Sequence, residues 1–498
     1  MWVLFLFLIV IVLIPSVLTY LFSEKLHLFS YLVMVAHSVG VFMFLVFTKQ
    51  YLTARRYSTS LLIPKRKKDV VAVIPTYNED PEMVIETALS VELAVKDYGD
   101  VVVLDDSSNE EIRKKLDELC KKSGIKVFRR ASRRGYKAGA INDFLKVYGD
   151  KYKLIAIFDA DQRPSASFFD ETIKYFDDPT VALVQVPQDY TEIESGIAEG
   201  ALIQQIPFWR LVMRGRKESA FSLGSGSIFR IDVLKEVGLL EEENVTEDVA
   251  TTVKLHEKGY KSIYLDKPLI WYGEPPKDLK SYLSQQNRWS FGYFQLLPKL
   301  LTARISLTQA IDYFNGWLYW FKVGIITIIE FTAPIVFLLL GIPFIKLDPI
   351  VYLYAYMPYV ISSMAWYFYL AKKHFYSLKG VFKHNAIQIL AYPSVFSSFI
   401  SWMLRRKKAF SVTPKKAVGS INVIIVMPYV LPLFLLTLAT VLGIFRLTNY
   451  EHSKFWFATL VNVFWATYFI PHLAYCLLLI SKEYGRELPE RILIKRQV

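Results

Sequence analysis

Cysteine is scarce: Cys120 and Cys476 are the two in 498 residues. They lie in unlike contexts, which leaves no basis for a disulfide framework or a thiolate metal site. Zinc-ligand spacings and RNA-binding signatures are missing, and this removes nucleic acid as a partner for the positive charge. Internal repeats and low-complexity tracts are missing too. Acid is absent from one long stretch. Residues 372–416 hold Lys372, Lys373, Lys379, Lys383, Arg405, Arg406, Lys407, Lys408, Lys415 and Lys416 with no Asp or Glu.

Apolar residues are abundant. They make up 53% of the chain, with 15% aromatic, too greasy for an ordinary soluble protein. A membrane-spanning helix needs about 20 mostly apolar residues. Residues 1–20, 29–48, 317–343, 350–371, 421–445 and 455–480 fit, and 1–20 lacks the basic start of a signal peptide, so it reads as a retained anchor. Lys and Arg number 59 against 46 Asp and Glu. Their concentration in 372–416 and in the tail predicts that these segments, both termini and the central block face the cytoplasm. The expected organisation is two N-terminal membrane helices (1–51), a soluble domain (52–300) and a second membrane part with about four helices (301–498), in an integral protein of the cell membrane surrounded by lipid.

The central block alternates apolar runs with helical patterns. The runs at 70–75, 101–106, 125–130, 153–161 and 181–187 predict a mostly parallel α/β sheet covered on both faces. Ligands of such sheets bind at the C-terminal strand ends. There stand "PTYNED", with Thr76, Tyr77 and Glu79, and "LDDSS", with Asp105 and Asp106. A ring beside carboxylates suits a nucleobase. In "RRGYKAGAIN", Arg133, Arg134 and Lys137 surround two glycines at a helix start, a setting for phosphate. "FDAD" offers Asp159 and Asp161 to a hard divalent cation, Mg²⁺ or Mn²⁺. "NVTEDV" places Thr246 as an N-cap, with Glu247 and Asp248 in the first helical turn. In "SYLSQQNRWSFGYF" a helix puts Gln285, Arg288 and Trp289 on one face.

In this order the motifs resemble the processive family 2 glycosyltransferases: cellulose, hyaluronan, chitin and mannan synthases. The similarity covers about residues 65–300. "FSVTPKK" at 410–416 resembles the gating loop of cellulose synthases. The resemblance implies a GT-A (Rossmann-like) domain that uses a nucleotide-diphospho-sugar donor, UDP-glucose first, and extends a β-linked polysaccharide acceptor. It assigns Asp248 as base, with Glu247 beside it. Thr76, Tyr77, Glu79, Asp106, Lys137, Asp159, Gln285 and Arg288 would hold the donor, with Phe410, Thr413 and Lys415 closing over it. Asp159 and Asp161 would hold the metal, and Trp289, Gly224 and Ser225 the acceptor. One departure is Leu223, where cellulose synthases carry cysteine. Aromatic residues in the membrane half, such as Tyr359, suit a sugar-lined channel. A single transfer to a lipid-linked acceptor and a non-catalytic sugar-nucleotide sensor are the alternatives.

Overall fold

The computed structural model describes residues 24–25, 28–55, 69–191, 193–217, 219–346, 349–370, 377–406, 423–449 and 455–485, with isolated positions at 13, 17 and 21. The segment 410–416, with Phe410, Thr413 and Lys415, and nearly all of 1–20 lie outside them.

The long helix α1 (Leu28–Arg55) leads into the α/β block. There β1 (Val70–Thr76), α2 (Pro81–Val95), β2 (Gly99–Asp105), α3 (Glu110–Ser123), β3 (Lys126–Phe128), α4 (Tyr136–Tyr148), β4 (Leu154–Ile157) and β5 (Gln162–Pro164) follow in turn. Then come β6 (Val181–Gln185), α5 (Gly196–Pro207), β7 (Ser227–Arg230), α6 (Glu247–Glu257), β8 (Lys261–Tyr264) and β9 (Ile270–Gly273). Seven strands form one sheet in the order β3-β2-β1-β4-β7-β6-β8, and β9 pairs with β5 in a separate ribbon. Val70, Ala72 and Ile74 pack on one face with Val84 and Ala88 of α2. Val71 and Val73 pack on the other with Ile141, Phe144 and Leu145 of α4. Alternate side chains of one strand thus enter two cores, which is why these strands read as unbroken apolar runs.

The expectation of a mostly parallel sheet needs one amendment. Strand β7 runs antiparallel to both β4 and β6. It is only four residues long and follows a glycine-rich turn, so its sequence carries little strand signal. Its reversal matters for the site. Ser227, its first residue, pairs with Ile157 at the end of β4 and with Gln185 at the end of β6. The loop ahead of β7 therefore lies at the same sheet edge as the parallel strand ends.

Beyond the sheet, α7 (Leu279–Thr302) precedes α8 (Leu307–Leu340), α9 (Pro349–Leu370), α10 (Leu378–Met403), α11 (Val423–Asn449) and α12 (Trp456–Gly485). Among the described residues five helices are long and apolar enough to cross a membrane: Phe29–Ala54, Leu307–Leu340, Leu378–Met403, Ile424–Asn449 and Trp456–Glu483. Helix α10 falls in the basic stretch read from sequence as a connection. Several polar groups on its inner face bond the neighbouring α7: the Asn287 amide donates to the Ser394 carbonyl at 2.7 Å, and the Ser394 hydroxyl to the Leu283 carbonyl at 2.7 Å. The Ser290 and Ser398 hydroxyls meet at 2.6 Å. Polar side chains that tie two helices together make a segment look like a loop when its partner is unknown.

Candidate active site

The ends of β1, β2 and β4, the start of α4, the loop before β7, the start of α6 and one face of α7 enclose a cleft of about 230 Å³. Its lining includes Thr76, Tyr77, Glu79, Asp106, Lys137, Asp159, Asp161, Gly224, Glu247, Asp248, Arg288 and Trp289. The chain leaves β1 toward β2 and β3 and returns to β4 on its other side. The cleft thus sits at the switch point of the sheet, where strand ends diverge and leave room.

One wall is organised by arginines. The Arg133 guanidinium lies 3.3 Å from the Tyr77 ring centroid and 5.0 Å from that of Tyr136. Arg130 donates to Asp106 through Nε at 2.9 Å and Nη2 at 2.7 Å, a two-point grip. It also reaches the Tyr136 carbonyl at 2.9 Å. Arg129 Nε donates to Asp105 at 2.8 Å, so Asp105 is a buried structural acid.

At the floor, Lys137 donates to Asp159 Oδ1 and to the Gly224 carbonyl, at 2.5 and 2.8 Å. Burial works against its charge, but Asp159, Glu247 and Asp248 together hold it above the usual lysine value. Gly224 has φ +85°, and a Cβ there would meet Asp248 Oδ2 at 3.3 Å. Glycine both permits the left-handed turn and leaves the carboxylate its space.

The opposite wall holds the acids of α6. Asp248 is half-buried and accepts the Val249 N–H at 2.8 Å. Burial, with the Glu247 charge next to it, pushes its carboxyl up to about 7. Burial raises Glu247 as well, against the pull of Lys137. Thr246 occupies the N-cap position but makes no side-chain cap; its hydroxyl donates to Asn244 Oδ1 at 3.0 Å. Helix α7 crosses directly over this turn. A Cβ on Gly292 would meet the Thr246 hydroxyl at 2.4 Å, so the missing side chain is what lets α7 bring Arg288 and Trp289, one turn earlier, to the acids.

Two expected residues stand behind the lining. Gln285 turns to Tyr190, with which its side chain hydrogen-bonds. Ser225 accepts the Asp159 backbone N–H at 2.8 Å and so fixes that strand end. Tyr136, Leu223, Val245 and Thr246 line the cleft without having been singled out for it. Tyr136 was legible in principle, as an aromatic next to Lys137 in a basic glycine turn. The other three carry no chemical signal of their own.

A cleft of carboxylates, one lysine and two arginines at the switch point of a sheet has the charges to receive a phosphorylated ligand. Residues 154–370 match the family model described as glycosyl transferase family group 2. Among curated proteins it is 28% identical over 373 residues to a UDP-forming cellulose synthase catalytic subunit of Pseudomonas fluorescens (strain SBW25), covering 72% of this chain and 48% of that one. It is 28% identical over 293 residues to a probable glucomannan 4-beta-mannosyltransferase 3 of Oryza sativa subsp. japonica, covering 56% and 53%. The chain spans about half the length of these relatives. Among solved structures, a mannosyltransferase of Pyrobaculum calidifontis in complex with GDP-Man and Mn²⁺ superposes with TM-score 0.51 at 15% identity, covering 76% of this chain and all of that one. That likeness concerns the fold, which is GT-A-like.

Proposed function

We propose that this protein is a membrane-integrated, inverting glycosyltransferase that extends a β-linked polysaccharide from a nucleotide-diphospho-sugar and passes the product through its own helices. The observation that carries the reading is the Asp248 carboxyl, raised to about 7 and facing Lys137, Arg288 and Trp289 across one cleft. A general base serves best when its pKa lies near the working pH. In this reading Asp248 takes the proton of the acceptor hydroxyl as that oxygen attacks the anomeric carbon. The nucleoside diphosphate leaves from the opposite face, and the configuration inverts. Arg288 and Lys137 supply positive charge for the departing diphosphate. Trp289 offers a flat face on which the terminal acceptor sugar stacks. Tyr77, with Arg133 against its ring, and Asp106 form the nucleoside side. The segment with Phe410, Thr413 and Lys415 is assigned as a closing loop on sequence alone.

Asp159 and Asp161 both open on the cleft, and the Asp159 side chain is 40% exposed. Two hard oxygen donors beside a diphosphate site fit Mg²⁺ or Mn²⁺. A cation held there would neutralise charge on the leaving diphosphate. The nearby Lys137 already bonds Asp159, so Asp159 keeps a positive partner in either case.

UDP-glucose is the first candidate donor, with UDP-N-acetylglucosamine and GDP-mannose next. The test is transfer from each radiolabelled donor by the full chain in lipid vesicles, with Mg²⁺, with Mn²⁺ and with chelator, followed by product sizing. A long, digestible β-linked polymer is expected. A single added sugar on a lipid overturns processivity, and no transfer from any donor overturns the enzyme.

A further inference from the structure

We infer that Gln185, on no wall of the cleft, is a positioning residue that holds the loop 222–226 in register for sugar transfer; the inference rests on the function proposed above. Gln185 ends β6 and is wholly buried. Leu183, two positions back on the same strand face, is an apolar core residue, so an apolar side chain would satisfy packing there. Instead its amide is used at both ends. Oε1 accepts the Leu223 N–H at 2.8 Å. Nε2 donates to the Ser225 carbonyl at 2.8 Å, to the Val186 carbonyl at 2.7 Å and to the Gly226 carbonyl at 3.1 Å. Gln188 adds a second grip, with Nε2 at 3.0 Å from the Leu223 carbonyl and 2.9 Å from that of Ser225. The antiparallel entry of β7 makes this possible, because it brings Ser227 opposite Gln185.

What the clamp holds gives it a functional consequence. Between the two gripped residues lies Gly224, whose carbonyl takes the Lys137 ammonium at 2.8 Å. Next to it the Ser225 hydroxyl takes the Asp159 N–H at 2.8 Å. Gly224 also borders Asp248. One short loop thus sets the mutual positions of Lys137, Asp159 and Asp248. An extended loop with two glycines at positive φ, Gly224 at +85° and Gly226 at +63°, has no stiffness of its own. Buried amides that satisfy its backbone provide it. Gln185 therefore acts on the reaction through the loop.

The test uses Gln185→Met, which keeps length and apolar volume but removes both ends of the amide, in the full chain in lipid. A displacement of about 1 Å costs on the order of 10²-fold in rate, so kcat should fall about that much, with a smaller loss of nucleoside diphosphate affinity because the loop also seats Lys137 and Asp159. Hydrogen exchange at the amides of 223–226 should accelerate, and this is read without any sugar transfer. Wild-type kcat, or unchanged exchange in that loop, overturns the inference. If Gln185→Met does not fold, Gln188→Ala decides, since it loosens the same loop from a half-buried position; normal kcat and normal exchange there overturn it equally. Failure of the proposed function is read separately, on wild type with the donor panel.

Discussion

Two pairs of adjacent acids stand at the cleft, Asp105 behind its lining and the other three on it, and their surroundings differ. Asp105 and Asp106, at the end of β2, each have an arginine: Arg129 on the first, Arg130 with two bonds on the second. Glu247 and Asp248, at the start of α6, make no direct ion pair among the described residues. They feel Lys137 and Arg288 only at longer range, and enclosure raises both. A carboxylate gripped by a guanidinium serves as a fixed acceptor. One that is enclosed without its own cation sits near its titration point and can exchange a proton. Residue type does not separate binding acids from a base. Their partners do.

The strongest way to break this comparison is Asp248→Asn. Loss of a general base typically costs about 10² to 10⁴ in rate, and nucleotide binding, measured by calorimetry, should survive. A mutant that turns over normally would end the assignment. The wild-type pH profile gives the same contrast. The base works ionised, so transfer should rise with pH and level off above about 7. Stability should move the other way. A folded-state pKa raised above the unfolded value means that the native state binds the extra proton between about 4 and about 7, so the contribution of Asp248 to stability declines across that window. Asp248→Asn should therefore melt higher than wild type at pH 8 and alike at pH 4. The equivalent Asp106→Asn, which removes the charge that Arg130 grips at two points, should melt lower than wild type at pH 8.

Intermediate effects belong to α7, which presses against the unpaired acids. Trp289→Ala removes the flat face proposed for the acceptor. It should lower elongation by on the order of 10²-fold, with Trp289→Phe less affected and nucleotide affinity intact. Gly292→Ala tests position without touching chemistry. Its Cβ would sit 2.4 Å from the Thr246 hydroxyl, so α7 or the turn before Asp248 must shift. Elongation should fall by roughly tenfold to 10²-fold and the melting temperature should drop. Normal elongation by Gly292→Ala would show that the crossing has slack and that Arg288 and Trp289 need no such close approach.

Much of this arrangement was legible from sequence, because strand ends carry their chemistry on the first residues after an apolar run. "PTYNED", "LDDSS" and "FDAD" could be placed at one sheet edge from periodicity alone. The helix with Arg288 and Trp289 was readable from spacing, although it extends to Thr302. What stayed hidden depends on partners distant in sequence. Gln285 shares a face with Arg288, yet its side chain bonds Tyr190, which is distant in sequence. Thr246 stands where an N-cap belongs, but Asn244 takes its hydroxyl. The four residues of β7 gave no strand signal, and their antiparallel entry places Ser225 beneath Asp159. Helix α10 hid because its serines bond to α7.

The smallest expected effect concerns the paired acids. Arg130 has a side chain 6% exposed and holds more than Asp106: it reaches Asp143 at 3.0 Å and the carbonyls of Arg134 and Tyr136 at 2.6 and 2.9 Å. It therefore fastens the turn that presents Arg133, Tyr136 and Lys137 to the cleft. Arg130→Lys keeps the charge and loses the planar fork, so the two-point grip on Asp106 becomes a single contact. A hydrogen bond to a charged group is worth about 1.5 to 3 kcal/mol, and lysine recovers part of it. Nucleoside diphosphate affinity should weaken by on the order of tenfold, about 1.4 kcal/mol. At saturating donor, kcat should stay near wild type, since the base and α7 are untouched. That split, affinity lost and turnover kept, is the mirror image of Asp248→Asn. If Arg130→Lys instead lowers kcat and leaves affinity alone, then the paired acids take part in the chemical step, and the contrast between the two walls does not hold.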